Sequence, residues 1–131
     1  TTPRAAVKVM SARDIFLKYK YLEFYEQEVF VCVLLNVRSG IIKSVQVSKG
    51  TVATSLVHPR EAFKEAIRIG AYSVVFIHNH PSGDVAPSSE DHGLTRRLVE
   101  VGKTLGITVL DHIIIGSEGY YSFAESGNIS R

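Results

Sequence analysis

The chain has 131 residues, 45% of them hydrophobic, which is enough for one domain with its own core. It carries 15 basic and 13 acidic side chains, so its net charge alone does not indicate a dedicated nucleic-acid-binding protein. The single cysteine, Cys32, excludes an intrachain disulfide framework and any multi-cysteine zinc site. With no secretion signal and no apolar run of membrane-spanning length, the sequence indicates a cytoplasmic protein that does not associate with membranes.

The first predicted element is a helix. Residues 1–10 are interpreted as a lead-in, and Ser11 with Asp14 has the spacing of a capping box, in which each residue satisfies the backbone N–H of the other. Apolar residues at helical spacing follow and predict a helix over about 12–24.

A β-hairpin is predicted next. Val29–Val37 and Ile41–Ser48 are rich in β-branched residues, and they flank the turn Arg38-Ser39-Gly40. The segment Thr51–Val57 is predicted to be extended.

The second half alternates helices with strands. Pro59 after His58 predicts the start of a second helix, whose buried face is predicted to consist of Phe63, Ala66, Ile67 and Gly70. Ser73–Ile77 is wholly apolar apart from its first residue, as in a strand covered on both faces. A third helix is predicted from about Ser88 to Gly106.

Strands at Ile107–Ile115 and Tyr120–Phe123 complete the predicted order α-β-β-α-β-α-β-β. This order predicts an α/β fold with three layers, α/β/α, in which helices cover both faces of a mixed sheet. We expect a single domain over 11–125, followed by a tail at 126–131. Ligands of such sheets commonly bind beyond the carboxyl ends of the strands, and His78 follows such an end.

His78 and His80 are candidate metal ligands. Side chains two residues apart in an extended backbone point to the same side, so both imidazoles can reach one point. Pro81 and Gly83 then turn the chain away. Two imidazoles and one carboxylate, with a fourth position left for water, form a common catalytic zinc site.

Asp91 is the candidate third ligand. At 100° per residue it falls within an arc of about 80° on the third helix, so it should face the core. The other residues of this predicted apolar stripe are Leu94, Leu98, Val101 and Leu105. A carboxylate there needs a strong partner, because an unpaired buried charge is costly. It also stands three residues after Ser88, which is capping-box spacing, and both roles remain open.

These residues resemble a known motif. His78-Asn79-His80-Pro81, six residues, and then Ser88-x-x-Asp91 match the JAMM motif H-x-H-P-x6-S-x-x-D of MPN-domain metalloproteases. Together with His58-Pro59-Arg60-Glu61 and Asp111-His112, the chain resembles the bacterial RadC family over about residues 10–125. The resemblance implies a JAB/MPN fold, which is similar to that of cytidine deaminases.

The resemblance also implies roles for individual residues. His78, His80 and Asp91 would hold one Zn²⁺ per chain, and Ser88 would stabilise the tetrahedral intermediate. A glutamate at the start of an upstream strand would be the general base, which points to Glu28, with Glu26 as the second candidate. The sequence leaves open whether Mn or Fe replaces zinc.

His112 is the remaining residue of interest. It shares its side of a regular strand with Leu110 and Ile114, whereas Asp111 points the other way. There His112 could orient a metal ligand or serve as a hydrogen-bonded core histidine, and both interpretations stay open. We expect Asp84 to be a turn residue.

Two functions from different classes follow. The first is a zinc-dependent hydrolase of amide bonds, with a peptide or isopeptide substrate. The second is a DNA-repair or replication accessory module, in which the metal is structural or vestigial. RadC proteins usually also carry a helix–hairpin–helix segment, which these residues lack, so we expect only non-specific DNA binding. The oligomeric state, a homodimer included, is left open.

Overall fold

A computed structural model describes residues 7–50 and 57–129. Its five strands form one mixed sheet in the order β2-β1-β3-β4-β5, where only β3 and β4 are parallel neighbours. The strands are β1 (Glu28–Leu35), β2 (Ile41–Gly50), β3 (Ser73–Asn79), β4 (Thr108–Gly116) and β5 (Gly119–Ser122). The chain is therefore an α/β protein, and its architecture is compatible with a JAB/MPN fold.

Three α-helices accompany the sheet: α1 (Ala12–Tyr19), α2 (Pro59–Ile69) and α3 (Ser89–Leu105). The predicted first helix over 12–24 is too long, since α1 ends at Tyr19 and a 3-10 helix, Lys20–Phe24, completes the segment. The capping box of Ser11 and Asp14 is present as predicted. The extended segment predicted for 51–57 lies almost entirely outside the described residues.

The hydrophobic core has two large parts, one on each face of the sheet, and a small third cluster formed by Ile114, Phe123 and Ile129. On one face, Phe30, Leu34 and Phe76 pack against apolar residues of α2 and α3, such as Phe63 and Leu98. On the other face, alternate residues of β1, β3 and β4 pack against α1. Residues 7–9 also pair with the turn after β1, through hydrogen bonds between Val9 and Ser39 and between Ile41 and Val7.

The buried face of α2 differs from the predicted one. Ala62, Phe63 and Ala66 are buried, but Ile67 is 57% exposed. Gly70 ends the helix in a left-handed conformation, with a φ of 69°, as glycine commonly does at this position. Pro59 occupies the first helical turn as predicted.

The buried face of α3 is rotated by roughly 35° from the predicted stripe, in the direction of Thr95. Asp91, Leu94 and Leu98 are buried as predicted, whereas Leu105 is 43% exposed and Val101 is only partly buried. Thr95 and Gly102, which lie outside the predicted stripe, are buried instead. A Cβ on Gly102 would stand 2.5 Å from the carbonyl oxygen of Ile107, so this glycine lets α3 approach the start of β4 closely.

A β-bulge interrupts β4. Val74 pairs with Val109 but Val75 pairs with Asp111, so the register shifts at Leu110. Leu110 therefore packs with the residues of the α1 face, and the expectation that it shares a side with His112 is wrong. The bulge leaves His112 facing the other side, towards Phe30 and Phe123.

Candidate metal centre

The three predicted metal ligands converge at the carboxyl end of β3. His78 belongs to the end of this strand, His80 follows it, and Asp91 lies in the first turn of α3. The two Asp91 oxygens lie 3.2 Å from His78 Nε2 and 3.3 Å from His80 Nε2, and the two Nε2 atoms are 3.1 Å apart. This trio is a group that could hold a metal ion.

The spacing of these atoms suits a small tetrahedral ion. Zinc binds histidine nitrogen and carboxylate oxygen at about 2.0–2.2 Å, so two ligand atoms on one zinc stand about 3.3 Å apart. The observed separations of 3.1–3.3 Å match this value. Two imidazoles and a carboxylate are also a donor set that zinc accepts in proteins.

Asp91 combines the two roles that the sequence left open. Its backbone N–H donates to Ser88 Oγ at 3.0 Å, and its Oδ2 accepts the Ser88 N–H at 2.8 Å, so the capping box is present. The same carboxylate faces both histidines. Burial acts to raise the pKa of Asp91, but the contacts of its carboxylate with His78 and His80 outweigh it, and the pKa lies well below its usual range. The carboxylate is thus ionised.

A tight loop holds His80. Its Nδ1 lies 2.8 Å from the carbonyl oxygen of Asp84, a group that can only accept, so Nδ1 carries the proton and Nε2 faces Asp91. Gly83 has a φ of 93°, and a Cβ there would stand 2.3 Å from Ser117 Oγ. Asp84 itself is exposed, and its carboxylate accepts the N–H of Ala86 at 2.9 Å. The hydrogen bond to Asp91, opposed by partial burial, raises the pKa of His80.

His112 lies directly behind His78. Its Nε2 is 2.8 Å from His78 Nδ1, and its Nδ1 is 2.6 Å from Thr95 Oγ1. The Thr95 hydroxyl in turn donates to the backbone carbonyl of Asp91 at 2.8 Å. Burial, with the nearby His78, lowers the pKa of His112 well below its usual value, so its ring is neutral.

Glu28 is the first residue of β1, and the Asn79 side chain holds the backbone on both sides of it. Backbone pairing between β1 and β3 ends at Phe30 and His78. Beyond that point the Asn79 side chain accepts the N–H of Val29 at 2.7 Å and donates to the carbonyl of Gln27 at 3.1 Å. These two groups flank Glu28 along the chain, so the residue between the histidines fixes the backbone on both sides of the candidate base.

The electrostatics place the Glu28 carboxyl within range of the trio. Its pKa is raised, first by partial burial, while His78 and His80 act to lower it and Asp91 acts to raise it. Glu26, the second candidate, is exposed. Ser88 is also exposed, and its hydroxyl accepts the Asp91 N–H, which leaves its own proton for another acceptor.

Thr95 and Asn79 were not among the predicted site residues. Thr95 stands four residues after Asp91, on the same side of the helix, which is a signal that the sequence contains. Asn79 carries a weaker signal, since only its position between two candidate ligands sets it apart.

Comparison with known proteins places this centre in a family. The model of the RadC-like JAB domain matches residues 5–128, which include the two histidines at the end of β3 and the aspartate at the start of α3. The chain therefore belongs to the RadC family of JAB domains. Among the described residues, no helix is long and apolar enough to cross a membrane.

Curated bacterial relatives agree with this assignment. The chain is 58% identical over 101 residues to a UPF0758 protein of Trichlorobacter lovleyi, covering 77% of this chain and 44% of that one. It is 51% identical over 120 residues to a UPF0758 protein of Clostridioides difficile, covering 91% and 51% of the two chains. A relative from Bacillus mycoides is 52% identical over 108 residues, covering 82% and 48%. The chain thus spans about half the length of the curated relatives it matches.

Proposed function

We propose that this domain is a zinc-dependent hydrolase of amide bonds, in peptides or isopeptides. One observation carries the proposal: His78, His80 and Asp91 converge at zinc-ligand spacing, with the Glu28 carboxyl within electrostatic range of all three. A metal site and a base are the two parts that metal-assisted hydrolysis requires.

The arrangement suits a catalytic zinc better than a structural one. Structural zinc sites use four protein ligands, whereas catalytic sites use three and keep one position for water or substrate. The group found among the described residues has three members. His80, whose side chain is 15% exposed, and the partly buried Glu28 form the side of the centre that solvent can reach.

Each residue has a defined task in this proposal. Zinc, when bound, lowers the pKa of a water molecule to about 7 and polarises a carbonyl group. Glu28 takes the proton of the attacking water and returns it to the leaving amine. Its raised pKa suits both halves of this task, since a base that is slightly harder to ionise is also a better acid. The Ser88 hydroxyl donates a hydrogen bond to the developing oxyanion.

The test uses Glu28→Gln, which keeps the shape of the side chain but removes its basicity. We expect zinc content to remain unchanged and hydrolysis of a quenched fluorescent peptide library, or of lysine-linked isopeptides, to fall by at least about a hundredfold. The exposed Glu26 supplies a matched control, and Glu26→Gln should retain full activity. The proposal fails if zinc-loaded wild type hydrolyses none of these substrates, and the base is misassigned if Glu26→Gln is the inactive variant.

A further inference from the structure

We propose that Thr95 and His112 are positioning residues that hold His78 with its proton on Nδ1, so that Nε2 is the atom offered to a metal. The inference rests on the proposed metal centre, and it assigns a task to two side chains that do not face the metal position themselves. The inference is based on one continuous series of hydrogen bonds. It runs from the Asp91 carbonyl through Thr95 and His112 to His78.

The position of each proton in this series of hydrogen bonds can be assigned in turn. A backbone carbonyl only accepts, so the Thr95 hydroxyl donates its single proton to the Asp91 oxygen. Towards His112 Nδ1, 2.6 Å away, Thr95 Oγ1 must then accept, which puts a proton on that nitrogen. A neutral imidazole has one donor and one acceptor, so His112 Nε2 accepts from His78 Nδ1 at 2.8 Å. His78 Nε2 is left to face Asp91.

The surroundings leave these groups little freedom to rearrange. Thr95 is 3% exposed and His112 is fully buried, so water does not compete for their hydrogen bonds. The His112 ring also stacks on Phe123, with centroids 4.8 Å apart and an angle of 10° between planes, and meets Phe30 edge-on. The ring is therefore fixed in orientation by aromatic packing and in tautomer by Thr95.

The reverse proton arrangement explains why this matters for a metal. If Thr95 donated to His112 Nδ1, His112 would carry its proton on Nε2, and His78 Nδ1 would have to accept it. A neutral His78 would then be protonated on Nε2, the nitrogen that faces Asp91. A metal would have to displace that proton and reverse the whole chain. The Asp91 carbonyl prevents this reverse arrangement, because it can only accept the Thr95 proton. Asp91 is itself one of the three proposed ligands, so the hydrogen bonds also join β3 to α3.

The experiment measures zinc affinity and histidine tautomers, without any substrate. Thr95→Val removes the hydroxyl at constant shape, and Thr95→Ser restores it. We expect Thr95→Val to bind zinc about 10–100-fold more weakly in a chelator competition, and Thr95→Ser to stay close to wild type. Thr104 is the matched control, since its hydroxyl makes the same bond to the carbonyl four residues back, Glu100, on the exposed side of α3. Thr104→Val should leave zinc affinity unchanged.

The tautomers are measured by ¹H–¹⁵N correlation of the histidine rings in wild type, with and without zinc. We expect protons on Nδ1 of both His78 and His112 in both states. A proton on His112 Nε2 and none on Nδ1, or unchanged zinc affinity in a folded Thr95→Val, overturns the assignment. If wild type binds no zinc but shows the expected tautomers, the chain of hydrogen bonds stands and the proposed function fails.

Discussion

The candidate centre has two halves that differ in burial. The inner half consists of His78, Asp91, Thr95 and His112, and each of these residues is at most 3% exposed. The rim includes His80, Glu28 and Ser88, which are partly or fully exposed. Hydrogen bonds that join β3, β4 and α3 hold the inner half. The rim is held by contacts at loops and element ends, such as those of Asp84 and Asn79.

The difference separates two tasks. The inner half has no access to a substrate, so it can only fix the position and protonation of metal ligands. The rim has that access, so proton transfer and oxyanion contacts belong there. Substitutions in the inner half should therefore change metal affinity and stability, whereas Glu28→Gln at the rim should change turnover alone.

The largest loss of zinc binding is expected when His78 of the inner half and His80 of the rim are replaced in the same variant. His78→Ala combined with His80→Ala leaves Asp91 as the single member of the trio, and one carboxylate does not hold zinc tightly. After metal removal and reconstitution, elemental analysis should find about one zinc per wild-type chain and none in the double variant. Zinc retained by the double variant would place the metal elsewhere.

Acidification should weaken zinc binding, because a metal must displace the protons of its ligands. The pKa of His80 is raised by Asp91, so its proton begins to compete at a higher pH than that of an ordinary histidine. Asp91 stays ionised, since its pKa is low. We expect zinc affinity, measured by chelator competition, to fall by at least about tenfold per pH unit once the pH drops below the His80 pKa. A pH-independent affinity between pH 5 and 8 would contradict this.

Asp91→Ala separates the cap from the ligand. In chelator, the variant loses a capping box, worth about 1 kcal/mol, together with the contacts of the carboxylate with His78 and His80, so it should be destabilised. With zinc, it loses a ligand as well and should be destabilised much more. Thermal melting of both forms measures the difference.

The first helix offers a control for that experiment. Asp14 forms the same capping box with Ser11, and its carboxylate accepts the backbone N–H groups of Met10 and Ser11. Asp14→Ala should therefore cost about 1 kcal/mol with or without zinc. If Asp91→Ala gave the same zinc-independent loss, Asp91 would be a cap alone.

Among these predictions, the smallest expected signal is the binding of duplex DNA. Arg96 and Arg97 are exposed on α3, but the chain has a formal charge of only +2. We expect binding of duplex DNA no tighter than about 10⁻⁴ M at physiological salt, as for non-specific binding. Sub-micromolar binding in a fluorescence titration, without any hydrolysis, would favour an accessory role in DNA repair or replication.

Much of this arrangement could be predicted from periodicity and spacing. The strands, the helix starts and the approach of His78 and His80 to Asp91 follow from local patterns. The bulge at Leu110 could not be predicted, since a single register shift leaves no mark in the alternation of apolar residues. For the same reason, the side on which His112 lies could not be tied to Leu110.

Contacts between distant elements are the other feature of the structure that could not be predicted from the sequence. Thr95 resembles any polar residue of a helix until the orientation of α3 against β4 brings it to His112. Asn79 holds Val29, fifty residues away in the chain. Ile67 and Leu105 looked like core residues by periodicity, yet both are exposed.

The central claim is that one zinc ion binds between β3 and α3. The most direct measurement is an anomalous difference map at the zinc absorption edge, from crystals of the zinc-reconstituted domain. We predict one peak per chain within about 2.0–2.2 Å of His78 Nε2, His80 Nε2 and an Asp91 carboxylate oxygen. A zinc-reconstituted crystal with no peak there, or with its peak at another position, would contradict the account.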